Sequence, residues 1–171
     1  MIRQEKASQF EQIASVIEKA FANEEMSDHK EHLLVEKLRQ DPAYIPELAL
    51  VYLENNEVIG HIFYSEAFIG DHPVLALAPV SVSPEHQGKG IGTQLIEASL
   101  ERAKWSGFSA IVLLGHAQFY PRFGFEKASQ YNISAPFDVP DENFMVLPLY
   151  KGSLQGIEGT VQYAPPFREG E

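Results

Sequence analysis

An α/β fold around a twisted mixed sheet is what this sequence predicts, and three observations predict it. Short apolar runs alternate with amphipathic helical segments along 171 residues of which 44% are hydrophobic. A glycine-rich loop, Gln87-Gly88-Lys89-Gly90-Ile91-Gly92-Thr93, joins an apolar strand to an amphipathic helix. Beyond that helix, the apolar run Ile111 to Leu114 reads as a buried strand. No repeat, low-complexity stretch or linker interrupts the pattern, so residues 1–171 are expected to form one domain.

Ile2 to Lys6 reads as a first strand. From Ala7 to Asn23, Phe10, Ile13, Ala14, Val16, Ile17, Ala20 and Phe21 share one helical face, with Ser8 as the expected cap. Ser27 to Arg39 is a second helix with Leu33, Leu34, Val35 and Leu38 inward, ended before Asp41-Pro42. Leu48 to Glu54 and Val58 to Phe68 flank Asn55-Asn56 and form a hairpin. Asp71-His72-Pro73 makes the next turn, and Val74 to Val82 is the fourth strand. A third helix runs from about Gly88 to Trp105 and stops at Gly107.

After the strand at Ile111 to Leu114, Ala117 to Tyr120 is expected as a short helix. Phe123-Gly124-Phe125 leads into another strand, and Phe144 to Leu149 is the last one expected. The tail from Lys151 carries four glycines and two adjacent prolines, so it should be rich in loops and packed back on the core. Residues 128–171 thus supply C-terminal strands and a loop-rich tail.

Composition narrows the function. With no Cys, disulfides, a thiolate nucleophile and a Cys-ligated metal are all excluded. Thirteen Lys and Arg against 24 Asp and Glu leave a net charge of −11, the wrong sign for a nucleic-acid binder. That charge suits a cationic substrate such as an amine, and it equally suits plain solubility. Met1 to Lys6 lacks the apolar core of a signal peptide, and no apolar run approaches membrane-spanning length. A soluble cytoplasmic protein is expected. His29 and His32 lie on one helical face but have no third ligand nearby, so no metal is expected.

The glycine loop carries the chemistry. Glycines at alternate positions let the backbone turn sharply and approach a ligand closely. The free N–H groups of a helix's first turn, with the positive end of its dipole, suit a pyrophosphate. Rival loops fail on their own terms. A Walker A loop needs Ser or Thr after Gly-Lys, where this chain has Gly90, and a Rossmann fingerprint needs glycine where it has Thr93. A turn that merely starts a helix stays open on these residues alone.

Gln87-x-x-Gly90-x-Gly92 resembles the Gln/Arg-x-x-Gly-x-Gly/Ala loop of the GNAT superfamily of acyl-CoA-dependent N-acetyltransferases. Tyr120-Pro121-Arg122-Phe123-Gly124-Phe125 is similar to the Tyr-x-x-x-Gly-Phe element that closes that fold. Leu147-Pro148-Leu149 through Tyr163-Ala164-Pro165-Pro166-Phe167 resembles its YhbS-like branch. The resemblance implies a sheet whose fourth and fifth strands splay apart, with the pantetheine arm of acetyl-CoA in the opening.

It also implies the site. Gln87, Gly88, Lys89, Gly90, Ile91, Gly92 and Thr93 would bind the pyrophosphate. Val80, Ser81 and Val82 would pair with the pantetheine amides like an added strand. Acyl transfer to an amine needs a proton acceptor, a stabilised carbonyl oxygen and a proton for the leaving thiolate. Tyr120 matches the tyrosine assigned to that last role. Taken alone it is one of seven tyrosines and reads equally as packing. Family members often carry a Glu on the fourth strand, but Leu75 to Val82 holds no carboxylate. His116, after the fifth strand, is then the candidate base, with a solvent-facing loop residue or a water relay as alternatives.

The expected activity is transfer of acetyl from acetyl-CoA to the amine of an unidentified small molecule or peptide. Direct attack is favoured, because there is no Cys and no recognisable Ser-His-acid set. Two other readings stay open. One is a noncatalytic acyl-CoA sensor. The other is an acyl-carrier-protein-dependent enzyme, which would not need the loop. A homodimer is compatible with the sequence. The acceptor is not readable, although Phe21 to Ser27 and Ser129 to Glu142 are the variable segments expected to set specificity.

Overall fold

The computed structural model describes residues 1–25 and 27–168. Asn55 and Asn56 both adopt left-handed backbone, at φ 52° and 65°. Asparagine tolerates that region, and two such residues in succession give a turn whose twist matches paired strands. The chain therefore reverses between β2 (Leu50–Glu54) and β3 (Glu57–Ile69), with Leu50 opposite Ile62 and Glu54 opposite Glu57. β1 (Ile2–Gln4) joins β2 antiparallel, with Ile2 opposite Tyr52.

β4 runs His72–Val82 and contains a cis Ala78–Pro79 bond. The turn before it is Gly70-Asp71 rather than Asp71-His72-Pro73. Gly70, at φ 62°, makes the reversal earlier and leaves His72 and Pro73 in the strand. The remaining strands are β5 (Ala110–Leu114), β6 (Glu126–Lys127), β7 (Ile133–Ser134), β8 (Phe144–Pro148) and β9 (Gly159–Gln162). Hydrogen bonding links them in the order β1-β2-β3-β4-β5-β8-β6, with β9 pairing β3 and β7. Parallel and antiparallel pairs both occur, so the sheet is mixed, as the sequence predicts.

Two compact units divide the chain, and β3 and β4 each contribute to both. The first unit comprises Met1–Tyr64 and Ala78–Arg102. Its helices are α1 (Phe10–Phe21), which buries Ile13, Val16 and Ile17, α2 (Glu31–Arg39), which buries Val35 and Leu38, and most of α3 (Ile91–Ala103). The helical stripes match their apolar spacing, with one exception. Leu33, expected inward, is exposed.

Both early helices start later than expected, for local reasons. Ser8 lies in a 3-10 turn at Ala7–Gln9 and caps nothing. The Lys6 N–H is taken by Gln9 Oε1 at 2.9 Å instead. Ahead of α2, Ser27 Oγ accepts from the His29 N–H at 2.9 Å and Asp28 Oδ1 from the Lys30 N–H at 2.8 Å. These side chains compete with the helix for the backbone donors, so α2 begins at Glu31 rather than Ser27. Met26, within the Phe21 to Ser27 segment, lies outside the described residues.

A buried polar cluster ties this unit together. The Glu5 carboxylate accepts from Arg39 Nε at 3.0 Å and Nη2 at 2.8 Å, from the Tyr44 hydroxyl at 2.6 Å and from His61 Nε2 at 2.9 Å. Burial alone would raise the Glu5 pKa. Hydrogen bonds from His61, Arg39 and Tyr44 outweigh it and hold the group at about 2 against an ordinary 4.5. Burial lowers the His61 pKa, so the imidazole is neutral with its proton on Nε2 toward Glu5. Because the folded Glu5 pKa is depressed, its stabilisation is present above pH 4.5 and is lost as pH falls toward 2. Glu5→Gln should therefore destabilise the fold by about 3 kcal/mol at neutral pH, since it strands a buried guanidinium. It should also flatten the acid-side fall in stability. Urea unfolding across a pH series reads both effects, and an unchanged acid slope would remove Glu5 as its cause.

The second unit comprises Ser65–Leu77 and the chain from Ala103. Here β4 pairs parallel with β5 through Leu75–Ile111 and Ala76–Val112, and among the described residues the ladder has only these pairs. Val80 to Val82 follow these paired residues along β4. β5 and β8 pair antiparallel from Ala110–Pro148 to Leu114–Phe144. β8 is not the last strand. β9 pairs the end of β3, Phe68 opposite Gln162, and brings Val161 into a core with Leu154, Ile157, Val74 and Val146. The tail is packed inward, as expected. No helix among the described residues is long and apolar enough to cross a membrane.

Candidate active site

In the first unit, the start of α3 is built from β4 outward. The Ser83 N–H donates to the Ile59 carbonyl at 2.9 Å, and a 3-10 turn follows at Pro84–His86. Gln87 Nε2 donates to the Val82 carbonyl at 3.0 Å, which ties the loop to the strand end. Gly88 and Gly90 take φ 78° and 81°, a region that excludes most side chains. The Gln94 N–H donates to the Gly90 carbonyl at 3.0 Å as the helix opens. The N–H groups of Ile91, Gly92 and Thr93 precede that bond and have no acceptor within the helix. The helix therefore begins at Ile91 rather than near Gly88.

Space lies in front of these donors. A Cβ at Gly88 or Gly90 would meet nothing within 4 Å, and one at Gly92 would touch only Val82 Cγ2 at 3.8 Å. Gln87, Gly88, Lys89 and Gly90 are exposed, and Ile91 is buried beneath them. α3 is seated closely because β3 has a glycine under it. A Cβ at Gly60 would come within 3.0 Å of Leu95 Cδ1 and 3.1 Å of Ile91 Cγ2. Tyr64 and Ser99 add a buried hydroxyl pair at 2.7 Å. On β4, Val80 and Val82 are half-buried, while Ser81 is buried with an unpaired Oγ.

In the second unit, His116 and Tyr120 share one turn. The His116 carbonyl accepts from the Phe119 N–H at 3.1 Å and the Tyr120 N–H at 3.3 Å, while the residue itself is exposed. The expected helix at Ala117–Tyr120 is a turn there, followed by a 3-10 helix at Tyr120–Phe123. Gly124, at φ 101°, ends it and donates to the Pro121 carbonyl at 2.9 Å. Arg122 fastens the turn. Its Nε donates to the Phe119 carbonyl at 2.9 Å, and its guanidinium lies 4.7 Å over the Phe119 ring.

The half-buried Tyr120 ring meets Phe119 and Phe125 edge-on, with centroids 5.1 Å and 5.9 Å away. Burial raises its pKa, so the phenol keeps its proton at neutral pH. Its oxygen makes no hydrogen bond among the described residues. Such a group can donate a proton to an arriving anion.

Three features escaped the sequence reading. The Glu5–Arg39–Tyr44–His61 cluster and the pairing of Asn143 with Gly115 join residues far apart in the chain, which no local pattern announces. The Arg122 clamp could have been suspected from its place inside the Tyr-x-x-x-Gly-Phe element. His32 Nε2 lies 3.7 Å from Glu18, and no group of three or more metal-binding side chains occurs among the described residues.

Comparison with known proteins finds relatives of this chain. The family described as Acetyltransferase (GNAT) family matches residues 10–125. The chain is similar to YjhQ, an uncharacterized N-acetyltransferase of Escherichia coli K12, at 39% identity over 67% of this chain and 66% of that one, just under two thirds. It is 30% identical to the uncharacterized N-acetyltransferase YhbS of the same organism over 78% of this chain and 81% of YhbS. The crystal structure of Escherichia coli YhbS in complex with CoA superposes with a TM-score of 0.90, at 26% identity, covering 100% of this chain and 93% of that one. A GNAT acetyltransferase of Brucella melitensis in complex with acetyl-CoA gives 0.82 at 32% identity, covering 98% and 97%.

Proposed function

We propose a reaction for this chain, which belongs to the acetyltransferase (GNAT) family: transfer of acetyl from acetyl-CoA to an amine of a small molecule or peptide, by direct attack with both bound. Residues 1–171 act as one acyltransferase domain in this reading. The observation that carries it is the start of α3. There, three N–H groups stand at the positive end of a helix of 13 residues, and glycines leave the space beside them open. The donors and the space fit a pyrophosphate. Gln87, Gly88, Lys89, Gly90, Ile91, Gly92 and Thr93 would hold it, with Lys89 adding charge, and Val80, Ser81 and Val82 would pair with the pantetheine arm. The complexes of YhbS with CoA and of the Brucella protein with acetyl-CoA support that choice of cosubstrate. Bound acetyl-CoA supplies an activated thioester.

The chain's own groups then move protons. Tyr120 donates its phenol proton to the departing sulfur, and His116 takes the proton that the amine must lose. If His116 has that role, His116→Ala should slow transfer to strongly basic amines more than to weakly basic ones. Equal rates for wild type and variant on strongly basic amines would pass the role to a water relay or to a carboxylate from outside the fourth strand. No metal enters this scheme, and the cytoplasm, where acyl-CoA is found, is its setting.

Thioester consumption with and without a mixed pool of amines and peptides, read by mass spectrometry, tests the reading as a whole. Acetylated amine should appear together with free CoA. Tight acetyl-CoA binding without turnover on any amine would point to a sensor instead.

A further inference from the structure

We infer that Gly115, held by Asn143, is a positioning residue that sets the Tyr120 phenol. The inference rests on the reading of Tyr120 as the acid. Gly115 does not lie in the left-handed region, so its φ does not itself call for glycine. What excludes a side chain there is the Tyr120 ring. A Cβ at 115 would overlap ring Cε2 outright, fall 2.8 Å from Cδ2 and crowd Leu113 Cδ1 at 3.2 Å. The ring cannot slide aside freely, because Phe119 and Phe125 meet it edge-on and Phe123 packs 6.4 Å away. A methyl group at 115 must therefore push the ring out of its aromatic seat.

Gly115 is itself fixed. Its N–H donates to the Asn143 carbonyl at 2.9 Å, and Asn143 Nδ2 donates back to the Gly115 carbonyl at 3.0 Å. This reciprocal pair extends the β5–β8 ladder one step past Leu114–Phe144. It stops the chain from sliding at the point where His116 begins the turn. The missing side chain at 115 and the amide at 143 together fix where the phenol oxygen stands.

Displacing an acid by about 1 Å is enough to cost on the order of 10²-fold in rate. Gly115→Ala should lower kcat by about 10-fold to 100-fold and leave the Kd for acetyl-CoA unchanged. Asn143→Ala, which keeps the glycine, should give the same signature more weakly, and it serves if Gly115→Ala does not fold. Each change is then repeated in a Tyr120→Phe background. With no acid left to misplace, Gly115→Ala and Asn143→Ala should cost nothing further there. An equal loss of kcat with and without the phenol would overturn the inference, because the two residues would then act on something other than Tyr120. Tyr120→Phe alone at wild-type kcat would instead remove the acid reading, and the inference with it. The two failures therefore look different.

Discussion

Tyr120→Phe is expected to lower kcat by on the order of 10²-fold to 10⁴-fold, the usual worth of one general acid, with the Kd for acetyl-CoA nearly unchanged. The substitution is clean because phenylalanine keeps the ring that Phe119 and Phe125 pack against and removes only the hydroxyl. That hydroxyl makes no hydrogen bond among the described residues, so its loss leaves no buried group unpaired. Burial raises the Tyr120 pKa, so the acid form persists through neutral pH. The alkaline limb of the wild-type kcat profile should consequently lie above the ordinary tyrosine value of about 10. Phenylalanine should abolish that limb along with the rate. Wild-type kcat under conditions where chemistry limits turnover would return Tyr120 to a packing role.

Gly92→Val should weaken acetyl-CoA binding by on the order of 10²-fold, equivalent to losing one or two charge-assisted hydrogen bonds. Gly92 is the best place to test the loop, for a reason the sequence does not reveal. Gly90 sits at φ 81°, where valine would strain the backbone and mix folding with binding. Gly92 has no such φ, and a Cβ there meets only Val82 Cγ2, at ordinary contact distance. Valine can therefore enter the helix while its methyl groups fill the space before the Ile91, Gly92 and Thr93 donors. Isothermal calorimetry on a variant of unchanged melting behaviour reads the loss. Wild-type affinity would move the anion elsewhere.

What could be read from the chain was what local chemistry decides. The Asn55-Asn56 hairpin was legible because two residues tolerant of left-handed backbone sit between apolar strands. The α3 loop was legible because its glycines alternate where a helix must start. Element boundaries were lost where side chains rival one another for backbone donors, as Ser27 and Asp28 do ahead of Glu31 and as Gln9 does in place of Ser8. β9 was hidden because its four residues, Gly-Thr-Val-Gln, gain strand structure only from distant partners, Phe68 and Ile69 on β3 and Ile133 and Ser134 on β7. His61 looked unremarkable for the same reason. Its partner Glu5 lies 56 residues away, and only the fold makes the pair. The loop residues and Tyr120 were named from motifs, whereas the glycine that seats the Tyr120 ring carries no motif at all.

The account rests most heavily on the claim that the first turn of α3 holds the cosubstrate's pyrophosphate. A heteronuclear NMR titration of the backbone amides with CoA tests it directly. The account predicts that the largest shifts fall on the amides from Gln87 to Thr93, with those of Ile91, Gly92 and Thr93 moving as they gain acceptors. Saturable CoA binding that leaves those amides unmoved and shifts another part of the chain would contradict it.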